Sequence, residues 1–191
     1  GQIFLRKIGL LKQVRPVIEK LMSRCDEAVY VAVLQNSEVV YLDMVETTHS
    51  VRAVSRLGWR LPAYCTAVGK AQLAFLPEDE LEGLLNGLAL KRLTKTTITD
   101  KEKLRQHLAQ VAEQGYAVDN EEYEEGIKCV GVPVWDYTRR PVASICISGP
   151  SSRISEQRID SELVPLVKEA GMEISRKLGY EVGISLYESD H

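Results

Sequence analysis

Residues 61–75 constrain the fold of this chain more than any other stretch of its sequence. They read LPAYCTAVGKAQLAF, an extended entry containing a proline followed by a run of helical composition. Thr66 carries a hydroxyl that can cap the start of this helix. Ala67, Val68 and Gly69 would then form a small, uncharged first turn. The backbone amides of such a turn make a seat for a small anion such as a carboxylate.

Length and composition are those of one folded domain with an appended element, since the chain has 191 residues, 45% of them apolar and 27% charged. No apolar run in the sequence approaches the roughly 20 residues that a membrane span needs. The start, GQIFLRKIGLLK, lacks the apolar run of a signal peptide. We therefore expect a cytoplasmic protein with no membrane partner, whose cysteines are free thiols because none has CxxC spacing.

The net charge of −3 argues against DNA binding by this chain alone, because a DNA-binding surface is normally basic. The basic residues that do cluster are interpreted as solvated surface. They are Arg52, Arg56 and Arg60, the pair Arg139 and Arg140, and Lys12 with Arg15.

Apolar spacing predicts an amphipathic helix over residues 4–23, kinked or broken at Pro16. Further helices are predicted from Ala67 to Phe75, from Pro77 to Leu85, after a capping box of Thr99 and Glu102, and from Ser155 onward.

Strands are predicted for AVYVAVLQ and EVVYLDMVE, which flank a turn at Asn36 and Ser37, and for the short stretch SVRAVS. YAVD follows Gly115 as another strand, and KCVGVPVWD pairs with RPVASICISG across a turn at residues 137–139. Strands joined mostly by turns, with helices grouped between and after them, indicate an α+β fold with an antiparallel sheet.

Motifs for phosphate binding, metal binding and nucleophilic catalysis are missing from the sequence. A P-loop would need a glycine at Tyr64 and a serine or threonine at Ala71. None of His49, His107 and His191 is aligned with a thiol as a catalytic base. The acidic residues 119–125 lack a nearby histidine or cysteine pair for a metal. We therefore expect no cofactor, no metal and no catalytic residue.

Two short segments carry polar residues that suit a pocket. Asp119 ends the strand YAVD and so can face the interior, whereas Glu121, Glu124 and Glu125 fit a solvated loop. In an alternating strand Cys146 and Ser148 share one face, which favours either a pocket lining or a solvent face built from small residues.

The GKA motif at residues 69–71 resembles that of the C-terminal effector-binding domain of the IclR family of bacterial transcription regulators. Three more stretches resemble the family at the matching places: TTITDKEKLRQHLAQVAEQGYAVDNEEYEEGIKC, PVWDYTRRPVASICISGP and SSRIS. The resemblance covers residues 29–178. It implies a GAF-like domain that forms dimers or tetramers and performs no chemistry on its ligand. It also implies DNA binding only through a winged helix-turn-helix domain, and we expect this chain to be the sensor half of such a regulator, cut at the linker.

The resemblance also implies a division of the chain and a ligand site. Residues 1–25 would be the linker helix, residues 26–180 the effector-binding domain and residues 181–191 a C-terminal tail. Asp119 and Cys129 fall on positions that contact the effector in the family. Cys146 departs from the serine that is common there. The predicted ligand-binding residues are Ala67, Val68, Gly69, Asp119, Cys129, Cys146 and Ser148.

The function predicted from these observations is the sensing of a small organic acid by a transcription regulator. Differential affinity of the ligand for two subunit arrangements would shift operator binding. A small cysteine-dependent enzyme that uses Cys129 or Cys146 is the alternative, and an interaction module with a filled core is a third possibility.

Overall fold

The computed structural model describes residues 1–182, without the side chains of Ile3 and Phe4. The strands are β1 (Ala28–Gln35), β2 (Glu38–Val45), β3 (Arg60–Pro62), β4 (Ala117–Asn120), β5 (Ile127–Trp135) and β6 (Pro141–Pro150). The helices are α1 (Gln2–Cys25), α2 (Ala67–Leu73), α3 (Glu78–Asn86), α4 (Lys101–Gln114), α5 (Glu156–Arg158) and α6 (Val164–Lys177). A 3₁₀ turn, Ala63–Cys65, precedes α2, and a π-helical turn, Ile159–Leu163, joins α5 to α6. Nearly all of the tail expected at residues 181–191 lies outside the described residues.

The six strands form one sheet in the order β3-β2-β1-β6-β5-β4, and every neighbouring pair is antiparallel. Helices pack on both faces of this sheet. The prediction of an α+β fold with an antiparallel sheet flanked by helices is therefore confirmed. The predicted pairing of β1 with β2 and of β5 with β6 is confirmed as well.

Two hydrophobic layers lie on opposite faces of the sheet because side chains alternate along each strand. Under α1 and α6, Val29 and Val31 of β1 meet Ile145 and Ile147 of β6. Under α2, α3 and α4, the intervening residues Ala28, Tyr30 and Cys146 form the second layer. The predicted ligand-binding residues of β6 thus lie on the α2 face. No helix within residues 1–182 is long and apolar enough to cross a membrane.

Helix α1 runs without a break from Gln2 to Cys25, so the break expected at Pro16 is not found. Proline removes one backbone hydrogen bond, whereas Val14, Val17 and Ile18 around it are at most 1% exposed. Their burial against the sheet outweighs the loss of that bond.

The third strand lies at Arg60–Pro62 instead of in SVRAVS, so that prediction is wrong. Residues 46–59 form an irregular connection. Side-chain anchors hold this connection in place of a strand ladder: the backbone amide of Arg56 donates to the Tyr30 hydroxyl at 3.0 Å, and Arg153 donates to the Val51 carbonyl.

Helix α4 begins one residue later than the capping box of Thr99 and Glu102 implied. Asp100 is its N-cap and accepts a hydrogen bond from the Lys103 amide at 2.9 Å. The Thr99 hydroxyl accepts from Arg92 instead. Threonine and aspartate are both good caps, and here the aspartate takes the position.

Candidate functional site

Two glycines allow α2 to lie unusually close to its neighbours. A Cβ atom built on Gly69 would lie 2.2 Å from the Ala63 carbonyl oxygen, a distance that real atoms do not adopt. A Cβ atom on Gly131 of β5 would lie 3.1 Å from the backbone of Ala67. The start of α2 is therefore seated directly on the sheet, and all seven of its residues are buried.

The predicted cap at Thr66 is confirmed, and it leaves fewer backbone amides free to bind an anion at the start of α2. The Thr66 hydroxyl accepts a hydrogen bond from the Gly69 amide at 3.1 Å. The expectation that the Gly69 amide is free is therefore wrong, because a capping side chain satisfies one of the first amides of a helix. The amides of Ala67 and Val68 remain as the ones without an intrahelical partner.

The other predicted site residues lie in adjacent positions on the α2 face of the sheet. Asp119 is opposite Cys129, which is opposite Ser148. Cys146, two residues before Ser148, is opposite Tyr30. All four predicted residues are buried, and the Cys129 Sγ donates to the Ser148 Oγ at 3.1 Å. Cys129 packs against Ala67. The row of predicted ligand-binding residues, which comprises Asp119, Cys129, Ser148 and Cys146, therefore lies beside the start of α2.

One oxygen of Asp119 has no partner within the described chain. Oδ1 accepts a hydrogen bond from the Glu122 amide at 2.7 Å, whereas buried Oδ2 accepts none from any described residue. Desolvation, followed by the nearby Cys129 and Glu122, raises the pKa of Asp119 well above its ordinary value. The carboxyl group therefore favours its protonated form, in which it can both donate and accept a hydrogen bond.

Arg56 is buried, so its assignment to the solvated surface is wrong. It is 3% exposed, and its Cζ lies 5.2 Å from the centre of the Tyr123 ring. Burial by itself would lower the pKa of the guanidinium, but the neighbouring Cys129, Tyr41 and Asp119 raise it, and Arg56 stays charged. Arg52, Arg56 and Arg60 are spaced four apart like one polar face, and no local pattern distinguishes the middle arginine, which turns inward.

Lys70 is a second inward-facing charge that the sequence did not reveal. Its side chain is fully buried, and its Nζ lies 2.8 Å from both carboxylate oxygens of Glu122. It also donates to the Val118 carbonyl at 2.6 Å and contacts His107 Nε2 at 3.0 Å. Burial, followed by the charge of Lys70, lowers the pKa of His107 to about 4, so His107 accepts the hydrogen bond as a neutral ring.

This Lys70 network fixes the loop that carries Asp119. The carboxylate of Glu122 accepts a hydrogen bond from the Asn120 amide at 2.9 Å as well as from Lys70. The lysine of the GKA motif therefore connects α2 to the turn after β4.

The four cysteines are free and buried. A hydrogen bond from Cys146, followed by the charge of Arg56, lowers the pKa of Cys129, whereas the same hydrogen bond and burial raise the pKa of Cys146 well above its ordinary value. The described histidines do not serve these thiols as a base, since His107 bonds to Lys70 and His49 is paired with Asp26. Over residues 1–182, no three metal-ligating side chains are grouped to hold an ion.

A cavity of about 10 Å³ lies beside Ser148, between the sheet and residues 46–59. Ala28, Tyr30, Arg52 and Ala53 are among its lining residues. Such a volume holds one water molecule at most. An organic ligand at this place therefore requires residues 46–59 to move.

Comparison with known proteins gives matches over nearly the whole chain. The family model for the C-terminal domain of the bacterial transcriptional regulator IclR matches residues 2–176. The HTH-type transcriptional regulator KdgR of Escherichia coli is 38% identical over 180 residues, which cover 94% of this chain and 68% of KdgR.

Solved structures of related proteins superpose on this chain over most of its length. The crystal structure of Thermotoga maritima IclR superposes with a TM-score of 0.87 at 42% identity, covering 93% of this chain and 72% of that one. The inducer-binding domain of a PobR double mutant from Acinetobacter, in complex with 3-hydroxybenzoic acid, superposes with a TM-score of 0.80 at 27% identity, covering 86% and 96% of the two chains.

Proposed function

We propose a ligand class and a site from the premise that this chain belongs to the IclR family of bacterial transcriptional regulators, as their C-terminal domain. The relatives are transcriptional regulators and not enzymes. In our proposal the chain senses a small organic acid without transforming it and without a cofactor. The effector site is made by Ala67, Val68, Gly69, Asp119, Cys129, Cys146 and Ser148.

The single observation that carries this proposal is the unpartnered Oδ2 of Asp119, buried on the same face as the start of α2. A buried polar atom without a hydrogen bond is costly, and a ligand hydroxyl or keto group can satisfy it. The Ala67 and Val68 amides supply donors for a carboxylate. Gly69 contributes by its lack of a side chain, which allows α2 to lie against the backbone of Ala63. The hydroxy acid held by the PobR domain is a ligand of the same class.

Transmission of the signal is proposed to run through α1. Residues 1–25 serve as the linker helix and residues 26–180 as the effector-binding domain. Buried Glu27 binds Arg153 at 2.7 Å and Arg158 at 2.6 Å, and Arg158 also donates to the Cys25 carbonyl at 2.7 Å. These contacts join the end of α1 to the segment that follows β6, the strand that carries Ser148.

The remaining parts of the proposal concern partners. The chain self-associates as a dimer or tetramer in the cytoplasm and contacts DNA only through an N-terminal domain. The isolated chain should therefore give no specific retardation of operator DNA at physiological salt. The cysteine-enzyme alternative is not favoured, because no described base contacts Cys129 or Cys146.

A thermal-shift screen tests the effector class. The panel contains glycolate, lactate, pyruvate and 3-hydroxybenzoate, each beside its neutral amide. A true ligand at ~100 times its dissociation constant adds about 2.7 kcal/mol of stability. We expect at least one acid to stabilise the chain more than its amide does. Asp119→Ala, which removes both carboxyl oxygens, should weaken the binding of that acid. Stabilisation by the amides alone would contradict the proposal.

A further inference from the structure

We propose that Arg56 binds the carboxylate of the effector, an inference that rests on the effector site proposed above. The terminal nitrogens Nη1 and Nη2 are both buried, and neither has a hydrogen-bond partner of good geometry in the described part of the chain. The hydroxyl of Tyr41 interacts with the guanidinium only through a looser contact. An arginine fork with two free nitrogens matches the two oxygens of a carboxylate.

No described counter-ion comes within hydrogen-bond distance of this guanidinium. The nearest carboxylate oxygen, Glu124 Oε1, lies 3.7 Å from Nη2, and its side chain is 49% exposed. Among the other acidic neighbours, the Cys129 thiol donates to Ser148 Oγ, and Asp119 favours its uncharged form and uses Oδ1 on the Glu122 amide. A buried charge in this position is strongly stabilised by an anion that enters beside it.

Arg56 is fixed over the predicted site by its own backbone. Its amide donates to the Tyr30 hydroxyl at 3.0 Å, and Tyr30 is paired with Cys146 across β1 and β6. Cys129, Tyr41 and Asp119 lie near its guanidinium. Arg56 therefore lies over the row of predicted ligand-binding residues and closes it from the side of residues 46–59.

The chemistry of the site defines one class of ligand. One free guanidinium balances one carboxylate, which favours a monocarboxylate over a dicarboxylate. The protonated Asp119 can exchange hydrogen bonds with a hydroxyl or keto group beside that carboxylate without repelling it. We infer a hydroxy- or keto-monocarboxylate whose charge is held by Arg56 and whose second oxygen function is held by Asp119.

Formate, the smallest carboxylate, is the direct probe of Arg56, with lactate as the larger one. Each is titrated against the full 191-residue chain and against Arg56→Met and Arg60→Met, at constant ionic strength maintained with sodium chloride. Arg60→Met is the matched control, because it removes the same charge four residues away at an exposed position. Binding is measured by thermal shift and by chemical-shift perturbation.

The expected result is formate and lactate binding to the unchanged chain and to Arg60→Met, with at least about tenfold weaker binding to Arg56→Met. Without ligand, Arg56→Met should melt no lower than the unchanged chain, because removal of an incompletely paired buried charge offsets the loss of the contacts with Tyr41, Tyr123 and Glu124.

Three results overturn the inference: no binding of formate to the unchanged chain, equal binding to Arg56→Met, or a clearly lower melting temperature of ligand-free Arg56→Met, which reveals a structural partner. The proposed function fails separately. If formate binds through Arg56 but no hydroxy or keto acid binds more tightly than formate, Arg56 is a carboxylate site and the effector class is wrong.

Discussion

Lys70 and Glu122, 52 positions apart in the sequence, form an ion pair with 2.8 Å between Nζ and Oε2 and with side chains 0% and 6% exposed. Ion pairs on protein surfaces contribute little to stability, but breaking a buried one leaves a charge that nothing compensates. This pair is the contact through which α2 and the turn after β4 hold a common position.

Lys70→Met should therefore destabilise the chain by about 3–5 kcal/mol, because Glu122 is left buried and unpaired. The double variant Lys70→Met with Glu122→Met should recover part of this loss, since it removes both charges. Urea unfolding of the two variants measures the difference. Equal stability of the single and the double variant would mean that the carboxylate of Glu122 becomes solvated when Lys70 is replaced.

Stability should fall as the pH is lowered from 6.5 towards 4 because of His107. Burial, followed by the charge of Lys70, lowers its pKa in the folded state from the ordinary value of 6.5 to about 4. The unfolded chain binds the proton first in this window, so the contribution is complete above pH 6.5 and is lost as the pH falls. His107→Gln should flatten this part of the profile of unfolding free energy against pH. His49→Gln, at an exposed histidine, should keep the decrease.

Gly69→Ala should destabilise the chain by about 1–3 kcal/mol or more, because the new methyl group meets the Ala63 backbone at 2.2 Å. Gly83 in α3 provides the control, since a Cβ there meets nothing within 4 Å. Gly83→Ala should be neutral or stabilising by up to about 1 kcal/mol. The melting temperatures of the two variants test this prediction. An unchanged melting temperature of Gly69→Ala would show that α2 can shift away from the 3₁₀ turn.

Cys146→Ser should tighten the binding of small 2-keto acids such as pyruvate. The substitution replaces a weak donor by a hydroxyl on the face that carries Ser148. One net hydrogen bond is worth roughly 1 kcal/mol, or about a fivefold change in affinity. Calorimetric titration measures this change, with Cys65→Ser as the control because Cys65 bonds to the Pro62 carbonyl outside the proposed site. Unchanged pyruvate binding by Cys146→Ser would remove Cys146 from the site, and weaker binding would contradict the predicted gain of a hydrogen bond.

The sequence was sufficient for features that depend on neighbouring residues. Alternation correctly placed Cys146 and Ser148 on one face, the end of a strand placed Asp119 inside, and Thr66 was recognised as a cap. The fold class followed from the same local patterns.

Features that depend on contacts between distant residues were not predictable in this way. Lys70 and Arg56 were unexpected in the interior because charged side chains are normally solvated, and their neighbours Glu122 and Asp119 lie more than fifty residues further along the chain. The third strand was misplaced for a related reason: β3 is set by pairing with the first residues of β2, and its own three residues carry almost no pattern.

The pairing of β1 with β6 has a consequence for how the chain is made. The middle of the sheet joins its first strand to its last, through pairs such as Val29 with Ile147. During synthesis β1 and β2 are complete at Val45, well before β6 begins at Pro141, so until then the inner edge of β1 stays open. Assembly of the sheet is therefore completed only after β6 has been made, and such distant pairings close slowly. A stop codon anywhere before residue 141 would leave this edge unpaired and prone to aggregation.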